Sequence, residues 1–343
     1  MTADQGDLSM DIHLKKLYEK LLASYVKTSK EDHLYSAQQL SKWFMEKRIP
    51  PDEVVNAHVR TMKSLFPDLP AEVKASFDLL LEMMIGYGIA YREREKLMNR
   101  QRELENEIEV AVGMQQTLLP SKTPSLEGVD IGVISVAANQ MSGDYYNFVD
   151  HGVGSIGIAI SDIIGKGIPA ALCMSMIKYA MDRLGTQPLS PAEVLKDLNI
   201  VVERNVDPSM FITMVYGVYD SRNHQFRYAT AGHEPGLFYR AAEQDFLDLK
   251  TRGLVLGVSR DAEYPEDTIS LQPHDAIVLF SDGVTECRVN GEFIERETLK
   301  QLIQGYIHMP AQEAVEAIHQ KLYEMTNYKI RDDQTILILK RIG

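Results

Sequence analysis

The sequence predicts an α+β architecture: an antiparallel β-sandwich flanked by helices, preceded by an all-helical bundle and a helical linker. Three observations predict it. From residue 9 to about 97, apolar residues recur at helical spacing and only proline pairs interrupt them. From Tyr91 to Leu119 the composition turns to charge while a seven-residue apolar spacing persists. Beyond residue 121, short apolar runs are joined by hairpin-like turns and not by βαβ crossovers.

Leu14, Leu17, Tyr18, Leu21, Leu22 and Tyr25 define a first helix, and Leu34, Ala37, Leu40 and Phe44 a second from about Asp32 to Lys47. Ile49-Pro50-Pro51 ends the second, and Pro51-Asp52-Glu53 suits the first turn of a third. Phe66-Pro67-Asp68-Leu69-Pro70 breaks the chain again before a long fourth helix from about Ala71, giving an up-and-down bundle. Gly86 and Gly88 within that helix either admit a close neighbour or kink it. His13, His33 and His58 are scattered, with no ligand spacing. Leu97, Leu104, Ala111 and Leu118 mark the linker seam, compatible with a short paired helix or with a solvated one, and Pro120 and Pro124 end it. The expected division is 1–97 helical domain, 98–120 linker and 121–343 sandwich.

In that last part, strands are expected at Val129–Ala137, Ser155–Ser161, Phe211–Tyr219, Phe226–Ala231, Gly236–Tyr239, Ala276–Phe280 and Thr335–Lys340. Helices are expected at Pro169–Leu184, Pro191–Asn205, Glu295–Gln304 and Ala311–Met325. The 343 residues carry 45% hydrophobic and 25% charged side chains, an ordinary globular balance. A net charge of -13 with no basic stripe argues against a nucleic-acid partner. The polar start Met1–Ser9 and a longest apolar run, Leu79–Ala90, that contains Glu82 give neither secretory signal nor membrane span, so a cytoplasmic location is expected. Cys173 and Cys287 form no disulfide framework, and each reads as a packed thiol.

Four acidic stretches carry the chemistry: Ser142-Gly143-Asp144-Tyr145-Tyr146, Ser161-Asp162 through Gly167, Ser281-Asp282-Gly283-Val284, and Arg331-Asp332-Asp333-Gln334-Thr335. Asp162 and Asp282 stand at the ends of apolar strands, and Asp332-Asp333 stands just before one. Each stretch alone reads more readily as a turn than as a ligand. Together they are carboxylates at strand ends that converge, repel and call for a cation. Hard divalent ions, Mg²⁺ or Mn²⁺, take such oxygens, and two ions are expected.

Taken in order, Gln115-Gln116-Thr117-Leu118-Leu119-Pro120, Ser142 to Tyr146, Asp162 to Leu172, Ala231-Gly232-His233-Glu234-Pro235, Phe280 to Glu286 and Asp332 to Thr335 resemble the PPM superfamily of metal-dependent serine/threonine phosphatases, in its bacterial, SpoIIE-like branch. Leu81 to Gly88 and the helical first domain are similar to the stress-response phosphatases of Gram-positive bacteria. The resemblance implies a protein serine phosphatase whose substrate is a phosphorylated anti-anti-sigma protein of the RsbV type. It also implies an activating kinase-like switch protein of the RsbT type, bound by a homodimeric helical domain. It makes Asp162 the bridging ligand and the Ile163 carbonyl a ligand of one ion. Asp282 and Asp332 would hold the second, Asp144 would hold or orient metal-bound water, and Asp333 remains an alternative to Asp332. The phosphate-binding arginine of eukaryotic relatives has no match here, which leaves phosphate to the metals, assisted by Lys166 or main-chain amides.

Two divalent ions would generate hydroxide near neutral pH for in-line attack and offset phosphoryl charge. The leaving serine oxygen would take its proton from a coordinated water or from His233, for which a structural turn role stands equally open. The rival readings are a two-metal nucleotide phosphatase and a partner-binding module with weak catalysis; a base or ribose pocket would mark the first, and the intact set of carboxylates speaks against the second.

Overall fold

The structure, a computed structural model, describes residues 4–343 apart from 153, 166, 185–188, 208–209, 251 and 290, with side chains from residue 16 onward. Lys166 and the side chains of His13 and Leu14 lie outside the described residues. Two compact units result, Met1–Glu105 and Asn106–Gly343.

The first unit is helical: α1 (Asp4–Thr28), α2 (Glu31–Glu46), α3 (Pro51–Leu65) and the start of α4 (Ala71–Gln116). Pro51 opens α3 with Asp52 and Glu53 in its first turn, where a missing N–H costs nothing and negative charge meets the helix dipole. Its core is small: Leu40 and Phe44 are buried among Tyr18, Leu21, Trp43, Ile49 and Val54. Gly88 is where two helices approach. A Cβ there would fall 1.8 Å from the Asp52 carboxylate of α3, whereas Gly86 faces open space. Leu80 and Tyr87 are exposed on α4, with Leu79, Met83 and Ile89 beside them, while Met84 is half-buried. α4 runs unbroken through the charge-rich stretch to Gln116, so the linker is the continuation of the fourth helix.

The second unit carries, in chain order, β1 (Val129–Val136), β2 (Asp144–Asp150), β3 (Ser155–Ile163), α5 (Ile168–Leu184), α6 (Pro191–Asn205), β4 (Ile212–Asp220), β5 (Gln225–Ala231), β6 (Leu237–Arg240), β7 (Asp245–Asp248), β8 (Glu266–Ser270), β9 (Ala276–Phe280), the single turn α7 (Asp282–Thr285), β10 (Arg288–Val289), β11 (Glu292–Phe293), α8 (Arg296–Tyr306), α9 (Ala311–Met325) and β12 (Gln334–Arg341). One sheet runs β1-β12-β9-β6-β7, the other β2-β3-β4-β5-β8, and β10 pairs with β11. The strand pairings are antiparallel.

The two sheets stack, and the period of two along each strand sends alternate residues to opposite buried faces. Ile156, Ile158 and Ile160 of β3 meet Ile277 and Leu279 of β9 and Leu337 and Leu339 of β12 between the sheets. Ala159 and Ile163 face α5 and α6, and Val278, Phe280, Ile336 and Ile338 face α8 and α9. Because both faces are covered, these strands read as continuous apolar runs. Each enclosed isoleucine or leucine contributes about 1.5–3 kcal/mol relative to exposure. Gly132 brings β1 against α9, since a Cβ would sit 2.3 Å from the Ala311 main chain. The Asp130 carboxylate accepts the Ala311 amide at 2.7 Å at that helix start.

Candidate metal centre

The fold brings the four acidic stretches to one end of the sandwich. Asp144 opens β2 and is the cross-strand partner of Asp162 on β3. Asp282 follows β9, and Asp332-Asp333 precedes β12, its neighbour in the other sheet. One sheet thus presents Asp144 and Asp162, and the other presents Asp282, Asp332 and Asp333.

Main-chain and hydroxyl bonds tie the two groups together. Ser281 N–H donates to the Thr335 carbonyl at 3.0 Å, and Thr335 N–H returns to Ser281 Oγ at 2.9 Å. The Thr335 hydroxyl donates across the sheets to Asp144 Oδ2 at 2.7 Å. Ser135 Oγ lies 2.9 Å from the Thr335 hydroxyl and is the donor to it whenever Thr335 donates to an ionised Asp144. Both oxygens of Asp333 are taken by main chain: Oδ1 accepts Ala138 N–H at 2.7 Å and Oδ2 accepts Gly143 N–H at 2.6 Å. Asp332 is exposed, and its Oδ1 accepts the Asp333 amide at 3.1 Å. Two glycines make room. A Cβ on Gly143 would lie 3.0 Å from the Ile163 carbonyl oxygen and 3.1 Å from Asp162 Oδ1, and one on Gly283 would lie 2.0 Å from the Asp333 carbonyl oxygen.

The carboxylates perturb one another. Burial pushes the Asp144 carboxyl well above the usual range, and the Asp162 and Asp333 charges add to this against hydrogen bonds from Ser281 and Thr335. Burial also raises Asp282, with Asp332, Glu286 and Asp333 reinforcing it. Among the described residues no group of three or more His, Cys, Asp or Glu side chains closes on a single point. The donor chemistry nonetheless fits a hard divalent ion, since oxygen ligands that resist ionising together are what a cation stabilises.

His233 sits behind these residues. It follows Gly232, whose φ of +63° places it in the left-handed region. Its Nδ1 pairs with Thr213 Oγ1 at 2.8 Å, and Thr213 is the β4 partner of Asp162. Its Nε2 is buried with no well-formed hydrogen bond, although the Phe280 carbonyl lies near enough to favour a proton there. Burial depresses its pKa to about 4, so the imidazole is neutral at neutral pH. The folded value lies below the unfolded value of about 6.5, so the unfolded chain binds more protons between the two. The stability His233 provides is therefore complete above about pH 6.5 and is lost as pH falls toward 4, by about 3 kcal/mol in all. Denaturant midpoints from pH 7.5 to 4.5 should fall more steeply for the wild type than for His233→Gln. Equal slopes would remove His233 from this account.

Arg296 was not legible in the sequence. It holds Glu234 Oε1 at 2.9 Å, Asp248 Oδ1 at 3.0 Å and the Pro235 carbonyl at 2.7 Å, bracing the segment that carries His233. Its signal, an arginine on the first turn of α8, is indistinguishable from a surface residue until the fold brings Glu234 and Asp248 to it. Cys173 and Cys287 are buried, and burial raises both thiols, Cys287 to about 11. Neither is poised as a nucleophile.

The fold, two antiparallel sheets flanked by helices, is that of a PP2C-like phosphatase domain, a class that is metal-dependent, and comparison with known proteins agrees. The family model for stage II sporulation protein E (SpoIIE) matches residues 152–342, and that for the N-terminal domain of phosphoserine phosphatase RsbU matches residues 16–90. The chain is 50% identical to phosphoserine phosphatase RsbU of Bacillus subtilis over 96% of its own length and 98% of that protein's. It belongs to the RsbU family of phosphoserine phosphatases. Among solved structures, the SiaA-PP2C domain of Pseudomonas aeruginosa superposes with a TM-score of 0.61 at 20% identity, covering 70% of this chain and 98% of that one. The RsbU and RsbW domains of a Mycobacterium tuberculosis protein superpose at 0.58 and 24%, covering 66% and 63%. Both likenesses concern the fold.

Proposed function

We propose that this enzyme removes phosphate from the phosphoserine of an RsbV-like anti-anti-sigma protein in the cytoplasm, and that an RsbT-like switch protein activates it through a homodimeric helical domain at residues 1–97. The observation that supports this most is that the strand ends bearing Asp144 and Asp162 in one sheet are tied, through Thr335 and Asp333, to those bearing Asp282 and Asp332 in the other, within a chain of this family. Exposed Leu80 and Tyr87 on α4 are consistent with self-association of the helical domain. No helix among the described residues is long and apolar enough to cross a membrane.

Asp162 and the Ile163 carbonyl would hold one Mn²⁺ or Mg²⁺ ion, with Asp162 shared to a second held by Asp282 and Asp332. Asp332 is preferred to Asp333 as the ligand because main-chain amides already orient both oxygens of Asp333 and leave only their second lone pairs for an ion. Such ions, when bound, supply activation of water near neutral pH and offset phosphoryl charge. The chain's own part is to hold the ligands and to keep the phosphoserine in line. Asp144, buried and fixed by the Thr335 hydroxyl, would hold or orient water beside the ions. His233 is neutral and enclosed, so its role is to brace the strand ends bearing Asp162 and Asp282. The leaving serine oxygen then takes its proton from water.

Phosphate release from the phosphorylated anti-anti-sigma protein, with and without the switch protein, tests this reading. Mn²⁺-dependent release that chelator abolishes and the switch protein raises is expected, with loss of the stimulation when residues 1–96 are deleted. Faster turnover of nucleotides than of the phosphoprotein would overturn the substrate assignment.

A further inference from the structure

We propose that Gln115 is a positioning residue of the catalytic centre, acting through the main chain at Ser142; this rests on the metal-centre reading above. Gln115 lies in the last turn of α4 and is buried, at 6% exposure. Its Nε2 donates to the Ser142 carbonyl at 2.6 Å, and its Oε1 accepts the Ser142 N–H at 3.0 Å. One side-chain amide thus satisfies both polar groups of one residue, as a neighbouring strand would.

The hydrogen bonds of the next residues lead into the site. Ser142 Oγ accepts the Asp144 N–H at 3.1 Å. The Gly143 carbonyl accepts the Ile163 N–H at 3.1 Å, and the Gly143 N–H donates to Asp333 Oδ2 at 2.6 Å. The Gly143 Cα is packed so closely against Asp162 Oδ1 and the Ile163 carbonyl that even a methyl group would press on both. Displacing the main chain at 142–143 therefore displaces Asp144, Asp162, the Ile163 carbonyl and Asp333 together, and such sites tolerate only about 0.5 Å of error. Glutamine is the residue that fits. Glutamate cannot donate to the Ser142 carbonyl, and asparagine is one methylene short of reaching it.

Gln115→Met keeps the shape and removes both bonds. It should weaken Mn²⁺ binding, measured by titration calorimetry on the full chain, by about tenfold or more, as loss of an outer support does at metal sites. Leaving both Ser142 main-chain groups unpartnered should also lower the thermal midpoint without metal; a merely structural role would stop there, whereas here kcat for an aryl phosphate should fall with little change in KM at saturating Mn²⁺. Gln116→Met, at the exposed neighbouring position, should match the wild type throughout. Wild-type Mn²⁺ affinity in a folded Gln115→Met chain would overturn the proposal alone, whereas a wild type that binds no Mn²⁺ would overturn the metal-centre reading beneath it. Should Gln115→Met not fold, hydrogen exchange on the wild type decides. Mn²⁺ should slow exchange of the Ser142 and Ile163 amides together, and an unprotected Ser142 amide with or without Mn²⁺ would overturn the proposal.

Discussion

Asp162→Asn and Asp282→Asn are each expected to lower turnover by on the order of a thousandfold, the loss that follows when several kcal/mol of transition-state charge stabilisation is removed. Neither should unfold the protein. Asp282 is raised by burial and by the charges of Asp332, Glu286 and Asp333, so its ionised form is disfavoured in the folded chain relative to the unfolded one. At neutral pH without metal, the neutral amide relieves that repulsion, and the thermal midpoint of Asp282→Asn should equal or exceed that of the wild type. Calorimetric scans in chelator, paired with phosphate-release rates in Mn²⁺, read both effects. A variant that keeps near-wild-type turnover at low Mn²⁺ would strip that residue of its role.

Asp332→Asn and Asp333→Asn should fail in opposite ways. Asp332 is exposed, so its substitution should cost turnover and leave stability near that of the wild type. Asp333 accepts one main-chain amide on each oxygen, and an asparagine turns one acceptor into a donor facing a donor. That mismatch should cost about 1–3 kcal/mol of folding stability, with a smaller loss of activity caused by the shift of Gly143. Urea midpoints and turnover measured on both variants separate the two. If Asp333→Asn were the more inactive and Asp332→Asn nearly silent, the assignment of ligands at this pair would be reversed.

The strands that carry Asp162 and Asp282 were legible because both faces of each are buried, which writes an apolar run directly into the sequence, with the carboxylate at its end. β2 was not. Asp144–Asp150 has acidic ends and a buried Asn147 in its middle, so it read as a motif and not as a strand. β8, with exposed Glu266 and Asp267 on a sheet edge, gave no alternation to detect. The linker was set apart from the fourth helix because charge rises sharply after Tyr91. Charged residues such as glutamate, lysine and arginine are helix formers, however, and no proline or cap intervenes before Pro120. The candidate ligands could be named from motif order. What holds them could not: Thr335 meets Asp144 across 191 residues of chain, and Gln115 meets Ser142 across 27. Such pairings exist only once the sheets stack and α4 reaches the site.

The central claim is that carboxylates from the two sheets jointly hold divalent metal. Calorimetric titration of Mn²⁺ into the full wild-type chain and into Asp162→Asn tests it without reference to any substrate. The account predicts about two ions per wild-type chain and loss of tight binding at both when the shared ligand is replaced. Unaltered stoichiometry and affinity in Asp162→Asn would contradict it.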